Sequence, residues 1–299
     1  MKLTYFRHDP PNFGDEVNAI LWDHLLPVGF LDEDETELFL GAGSILRRYP
    51  GSGMKHVAGS GYGGYSAAPD MADGTWNVLW LRGPLTAGKL GLDARLAICD
   101  AAILLREVPL PPPATGIGVA FMPHFESAVR GDWAAVCARA GITYLDPRGP
   151  VAAILAAIRG ADLVIAEAMH AAIVADTLRT PWVPVLPLHA SHRMKWEDWA
   201  ASLGITLRRG ALPPSNLREA YVLATGLDGK GARSARLAQA PLLGPVNRAL
   251  RAGAARRLRQ LVADAPRHLS DDAAIAEATE RSRAALDRFV RTRGARQSA

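Results

Sequence analysis

Two histidines, an arginine and a short cationic run sit where side chains are free to act on a ligand. His170 follows the apolar run Leu163–Ala166 and opens the helical pattern Met169–Leu178. A helix N-terminus disfavours a positively charged ring, which suits an imidazole that takes and returns a proton. Glu167 is near enough in sequence to orient that ring. His124 holds the matching place after the run Gly118–Met122. Each histidine alone is also compatible with plain packing against a neighbouring carbonyl. Two of them at the strand ends of one sheet make a better acid–base candidate than either alone.

The anion-binding candidates fall at the same kind of position. Arg82 directly follows the strand-like run Asn77–Leu81 and precedes Gly83-Pro84-Leu85-Thr86, and proline suits a first helical turn. A guanidinium fixed there matches the fork of a carboxylate or phosphate, although a surface ion pair would use the same residue. His192-Arg193-Met194-Lys195-Trp196 follows Trp182–Leu186. Positive charge at a helix start is locally unfavourable without an anion, so Arg193 and Lys195 point to an anionic ligand. Asn12 and Asp15 lie between the first strand and first helix, where Asp15 either caps the helix or faces a sugar or anion. Ser44 closes the glycine turn Gly41-Ala42-Gly43-Ser44. The letters of a dinucleotide loop occur at Gly59-Ser60-Gly61-Tyr62-Gly63-Gly64. However, Tyr65–Thr75 is too rich in Gly, Pro and Asp to open the helix that such a loop requires.

The elements that must position these groups alternate. Leu3–Phe6, Leu38–Leu40, His56–Ala58 and Val78–Leu81 read as buried strands, with a helix over Glu16–Leu26. Prolines break the pattern at Pro109–Thr115. Beyond them strands over Gly118–Met122, Thr143–Leu145, Leu163–Ala166 and Trp182–Leu186 alternate with helices over Asp132–Ala140, Val151–Arg159, Met169–Leu178 and Lys195–Leu203. Repeats of this length predict parallel sheets covered by helices, with ligands at the carboxyl ends of the strands. The expected fold is α/β, with Rossmann-like domains at 1–112 and 113–210 facing across a cleft. Residues 211–299 are expected to be a basic helical extension, with helices over Pro245–Ala263 and Asp271–Arg291.

Composition removes other classes. The chain has 299 residues, 49% of them apolar, and a net charge of +4, which excludes a disordered chain. No run reaches the ~18 apolar residues of a membrane span. The opening MKLTYFRHDPPNFGDE has no leader-like apolar core, and with only Cys99 and Cys137 the expected setting is a reducing cytoplasm. Motifs of serine hydrolases, phosphate-loop enzymes and zinc helices are absent. Only His189 and His192 have ligand-like spacing, and no cysteine supports them, so neither a metal nor a cofactor is expected. The charge is uneven: residues 1–210 carry 18 Lys/Arg against 22 Asp/Glu, and residues 211–299 carry 16 against 8. The basic tail lacks the interleaved aromatics of a nucleic-acid platform. It suits either a solvated extension or contact with an anionic lipid surface or partner, while Val246, Leu250, Leu258 and Leu261 suit either dipping into lipid or packing on the amino-terminal domain as a strut.

Taken together, these loops resemble the polysaccharide pyruvyl transferase family, and within it the ketal-pyruvate transferases of succinoglycan-type pathways. The residues that carry the resemblance are NFGDEVN at 12–18, GAGSIL at 41–46, RGPLT at 82–86, CDAAILL at 99–105 and MPHFES at 122–127. GDWAAVCARAGITYLDPRG at 131–149, EAMHAAIVADTLRTPWVPV at 167–185 and SHRMKWEDW at 191–199 complete the series. The resemblance implies transfer of a pyruvyl group from phosphoenolpyruvate to two hydroxyls of one sugar, giving a cyclic ketal and phosphate. It also implies a fold like the two-domain GT-B glycosyltransferases, and an acceptor that in such pathways is usually lipid-linked. Ala168-Met169-His170 stands where remoter members carry Arg-Leu-His, so either a cation from Arg193 or Lys195 substitutes or the donor sits differently. On this reading Arg82, Arg193 and Lys195 bind the donor. His170, then His124, moves protons, and Asn12, Asp15, Ser44 and Glu167 line the sugar or loop side. A glycosyltransferase using a nucleotide sugar, or a glycan-binding subunit without catalysis, would use the same architecture.

Overall fold

In a computed structural model, residues 1–51, 53–188, 192–227, 231, 234–236 and 241–297 are described. Along the chain run β1 (Lys2–Thr4), α1 (Phe13–Leu25), β2 (Leu38–Leu40), β3 (Lys55–Ala58), β4 (Trp76–Trp80) and α2 (Pro84–Lys89). Next come β5 (Gly118–Met122), α3 (Phe125–Arg130), α4 (Trp133–Ala140), β6 (Thr143–Tyr144), α5 (Val151–Gly160), β7 (Ala161–Ala166), α6 (Met169–Thr177) and β8 (Trp182–Pro184). The remaining helices are α7 (Arg193–Ser202), α8 (Leu217–Thr225), α9 (Gly244–Asp264) and α10 (Asp272–Gln297). The chain divides into two units. The first is Met1–Leu110 with Met194–Leu207 and Ser270–Ala299, and the second is Pro111–Arg193 with Arg208–Leu269.

The first unit is built on a parallel sheet of order β1-β2-β3-β4. Leu38–Leu40 is buried throughout, as expected of a strand covered on both faces. Helix α1 buries Phe13, Val17, Leu21, Trp22 and Leu25, a helical stripe, and Trp22 meets Phe39 of β2 edge-on at 4.7 Å. Helix α10 brings Phe289 onto the same ring, stacked at 6.2 Å. The second unit has a parallel sheet of order β6-β5-β7-β8. Its core joins Phe121, Leu163, Ile165 and Val183 of the strands to Trp133 and Val136 of α4 and to Ala254, Leu258 and Leu261 of α9.

The α/β class with parallel sheets is therefore as expected, and all eight strands overlap the sequence reading, β1 through Leu3 and Thr4 alone. Strand β8 ends at Pro184, before the expected Leu186, although the Val185 N–H still donates to the Ala166 carbonyl at 2.9 Å and the Leu186 N–H turns to the Gly210 carbonyl at 2.8 Å. The basic tail is corrected. It is not a unit of its own, since α9 belongs to the second unit and α10 to the first. Its apolar stripe was expected either to dip into lipid or to pack on the amino-terminal domain. Instead, Leu258 and Leu261 pack into the second unit's core, while Val246 stays 44% exposed. Helix α8 was missed. Asn216 starts it by accepting from the Glu219 N–H at 3.0 Å, the N-x-x-E capping signal, and Glu219 accepts in return from the Ser215 N–H at 2.8 Å. No helix among the described residues is long and apolar enough to cross a membrane.

Leu258 tests whether the tail is part of the core. Truncation of a fully buried leucine removes its transfer energy and leaves a cavity, so Leu258→Ala should destabilise the chain by roughly 2–5 kcal/mol. A urea denaturation midpoint equal to that of the parent chain would show that α9 is a detachable appendage.

Candidate active site

The loops at the carboxyl ends of the first sheet are drawn together by buried side chains. Asn18 of α1 is fully buried. Its amide donates to the carbonyls of Asp15 and Ala42 and accepts from the Ala42 N–H at 2.8 Å and from Trp22 at 2.9 Å. The two bonds with Ala42 pin α1 to the loop after β2, and the two within α1 complete the hydrogen bonding of the amide. The Ser60 hydroxyl donates to the carbonyls of Leu40 and Gly41, adding the loop after β3. Asn12 is the residue before α1, and its side chain donates to the buried Asp15 carboxylate at 2.6 Å rather than capping the helix. Asp15 lies in the first turn of α1, so its carboxylate holds Asn12 and does not act as the cap.

Arg82 sits after β4 as expected, but its guanidinium is sealed inside the protein. It is 0% exposed. Its Nε donates to Asp198 of α7 at 3.0 Å, Nη1 to the Ser44 hydroxyl at 2.6 Å and Nη2 to the Tyr62 carbonyl at 3.2 Å. A side chain at Gly61 would collide with this guanidinium, which explains a glycine in that loop without a dinucleotide. Asp198 also accepts from the Thr86 N–H at 2.8 Å and from the Thr86 hydroxyl at 2.6 Å, so it holds the start of α2 as well. Arg82 is therefore a brace between Ser44 and α7, and not an open clamp.

A second cluster forms at the carboxyl edge of the other sheet. The register of β5 against β7 sets Met122 beside Ala166, so His124 and Glu167 follow neighbouring strands. Glu167 is buried and accepts from the His124 N–H at 2.9 Å, the Ser127 hydroxyl at 2.9 Å and the Leu188 N–H at 3.3 Å. Burial pushes its carboxyl pKa up, against the pull of those donors. The expectation that Glu167 orients His170 is corrected, because the carboxylate is directed to the backbone and hydroxyl of the neighbouring loops. His170 lies half-buried in the first turn of α6.

His124 caps α3, its Nδ1 accepting from the Glu126 N–H at 3.3 Å, which leaves the proton of the neutral ring on Nε2. Its ring stacks on His192 at 4.2 Å, and His192 Nε2 lies 3.3 Å from the Glu126 carboxylate. That hydrogen bond with His192, and then the positive charge of Arg130, hold the Glu126 carboxyl well below its usual range. Part of the anion that the cationic start of α7 calls for is therefore Glu126. Arg193 is exposed and Lys195 half-buried on the first turn of α7. His189 and Ser191 lie outside the described residues. Asn18, Glu126 and Asp198 all fall inside the quoted motifs, yet their roles depend on partners far along the chain.

Residues 72–188 match the model of the family described as polysaccharide pyruvyl transferase, a span that includes Arg82, His124, Glu167 and His170. The chain is 38% identical over 312 residues to the succinoglycan biosynthesis protein ExoV of Rhizobium meliloti (strain 1021), covering 96% of this chain and 98% of that protein. No solved structure matches.

The brace makes its own prediction. With Asp198 gone, Arg82 keeps a buried positive charge and Thr86 loses its acceptor, so Asp198→Ala should cost about 3–5 kcal/mol. Replacing both partners, as Arg82→Met with Asp198→Leu, should recover much of that loss. A single variant melting within experimental error of the parent would mean that Arg82 is free to serve a ligand instead.

Proposed function

Because the chain belongs to the polysaccharide pyruvyl transferase family and is an enzyme of that class, acting in exopolysaccharide synthesis, we propose that it uses phosphoenolpyruvate as donor. The pyruvyl group passes to two hydroxyls of one sugar in a lipid-linked repeat and forms a cyclic ketal. The observation that supports this reading is the carboxyl edge of the second sheet. There His124 and Glu167 are bonded through the His124 N–H, His170 opens α6, and a cationic segment starts at His192.

The donor is an enol phosphate bearing a carboxylate, so it needs cations and a proton. Arg193 and Lys195, on the first turn of α7, are assigned to its anionic groups, taking the part of the arginine that Ala168 replaces. His170 delivers a proton to the methylene carbon, and the neighbouring carbon becomes oxocarbenium-like. One sugar hydroxyl attacks that carbon, phosphate leaves, and the second hydroxyl closes the ring. Of the two hydroxyl protons, one replaces the proton given to the methyl group and the other leaves with phosphate. His124 is the second choice for proton transfer, since its neutral ring carries hydrogen on Nε2. Asn12 and Ser44, both half-buried, are assigned to the acceptor side, with Asp15 holding Asn12, Arg82 holding Ser44 and Glu167 holding His124. No cofactor is assigned. A GT-B-like pairing of the two units belongs to the same proposal and rests on the sequence resemblance.

Incubation with phosphoenolpyruvate and lipid-linked oligosaccharides should release phosphate and add the ketal mass to the acceptor. Nucleotide sugars should release no nucleoside diphosphate, and the opposite pattern would favour a glycosyltransferase. His170→Gln should lower turnover by ~10²-fold or more with the melting temperature kept. Turnover close to the parent's would pass the proton to His124.

A cytoplasmic enzyme that meets its acceptor at a lipid surface is the setting that this reading implies, with Arg248, Arg256 and other exposed arginines of α9 as the contact. The full chain should sediment with anionic vesicles at low salt and should be released when Arg248→Glu and Arg256→Glu are combined. A parent chain that stays in the supernatant removes the membrane part of the proposal and leaves the chemistry standing.

A further inference from the structure

We propose that His124, Glu126 and His192 bind one divalent transition-metal ion of the zinc and cobalt class. His124 and Glu126 sit together at the start of α3, His192 lies 66 positions beyond Glu126, and each of the three offers a ligand atom within 4.8 Å of the other two. His192 Nε2 and Glu126 Oε2 are 3.3 Å apart. Two ligands each ~2.1 Å from a single tetrahedral ion would be separated by roughly 3.4 Å, so this pair is already at coordinating distance. His124 stacks on His192 at 4.2 Å and has its ligand atom within 4.8 Å of the other two, so a small ring movement completes the trio. All three side chains are half-buried, which leaves an entry path and room for further ligands.

The surroundings have the features of an outer shell. Arg130 donates to Glu126 Oε2 at 3.3 Å and steadies the carboxylate from its own helix, α3. Glu167 accepts from the N–H groups of His124 and Leu188, so one buried carboxylate fixes the backbone of a ligand. The bond from the Glu126 N–H to His124 Nδ1 is long at 3.3 Å, and it is the one to yield if Nδ1 turns to the ion. Two imidazoles and one carboxylate form a borderline N₂O donor set, which suits zinc or cobalt better than magnesium or calcium. Three protein ligands leave a coordination position for an oxygen anion, as in catalytic rather than structural sites. That last role rests on the pyruvyl-transfer reading, with the donor's carboxylate or phosphate as the anion. The binding itself does not. With the ion in place His124 is a ligand, and proton transfer falls to His170 alone.

Cobalt titration of the metal-stripped full chain, without an affinity tag and without phosphoenolpyruvate, tests the site. Visible d–d bands should saturate at one Co²⁺ per chain and should disappear when Zn²⁺ is added. His192→Ala should weaken binding at least ~tenfold, and so should His124→Asn, which keeps a good helix cap while removing the ring. His24→Ala, at an exposed histidine of α1, should bind as the parent does. Circular dichroism establishes that each metal-free variant is folded, and Glu126→Gln replaces any variant that is not. Saturable binding that persists at full strength in His192→Ala and His124→Asn, or no saturable binding by the parent, overturns the site. Because no turnover is read, a failure of the pyruvyl-transfer proposal would leave these outcomes unchanged.

Discussion

The buried contact between Arg82 and Asp198 fixes the frame in which the loops of the first sheet can be read. The two residues are 116 positions apart, and both side chains are fully excluded from solvent. Burying two charges is costly, and the cost is met only when every donor and acceptor is used. Here that condition is met by Ser44, Tyr62 and both polar groups of Thr86. The pair therefore fixes three things at once: the glycine loop over Arg82, the start of α2, and the position of α7. Helix α7 is the element whose first turn carries Arg193 and Lys195, so the placement of these cations depends on a buried one.

Glu167 plays the corresponding part in the second unit, with a different balance of forces. Desolvation raises its pKa, and three donors from the loops after β5 and β8 oppose that rise. Asn18 does the same work in the first unit with a neutral amide, which carries no desolvation cost of a full charge. In each unit a polar side chain from one strand-to-helix segment satisfies the backbone of a neighbouring loop. The parallel sheet makes this arrangement possible, since its carboxyl edge gathers consecutive loops side by side.

The same edge explains what could be read from sequence. The runs Leu38–Leu40, Gly118–Met122 and Leu163–Ala166 were legible because buried parallel strands are short, apolar and bounded by turns. The placing of His124 and His170 at strand ends followed from the last two, and that of Arg82 from Asn77–Leu81. The direction of a side chain did not. Arg82 points inward because Asp198 waits for it, and no local pattern announces a partner 116 residues away. Glu167 looked like the partner of His170 because they are three residues apart, yet its acceptors face His124 and Ser127. His192 and Glu126 are 66 positions apart, and their pairing is equally invisible to spacing. Helix α8 was legible in Ser215-Asn216 and Glu219, but a nine-residue helix after a proline-rich stretch gives little periodicity to draw attention to it.

The tail shows how packing limits a functional reading that composition alone leaves open. Its amphipathic pattern was correct, but a pattern does not say which surface takes the apolar side. Once Ala254, Leu258 and Leu261 lie in the second unit's core, they are not available to hydrocarbon. What α9 presents outward is Arg248, Arg256 and Arg259, with Val246 as a small apolar exception near its start. A helix of this kind cannot anchor by insertion. It can attract an anionic surface only through charge, at about 1 kcal/mol for each engaged arginine. Such attraction fades beyond a screening length of about 8–10 Å. The contact that the fold permits is therefore shallow, salt-sensitive and quickly reversed. That suits the proposed encounter with a lipid-linked sugar, in which the enzyme docks and leaves again.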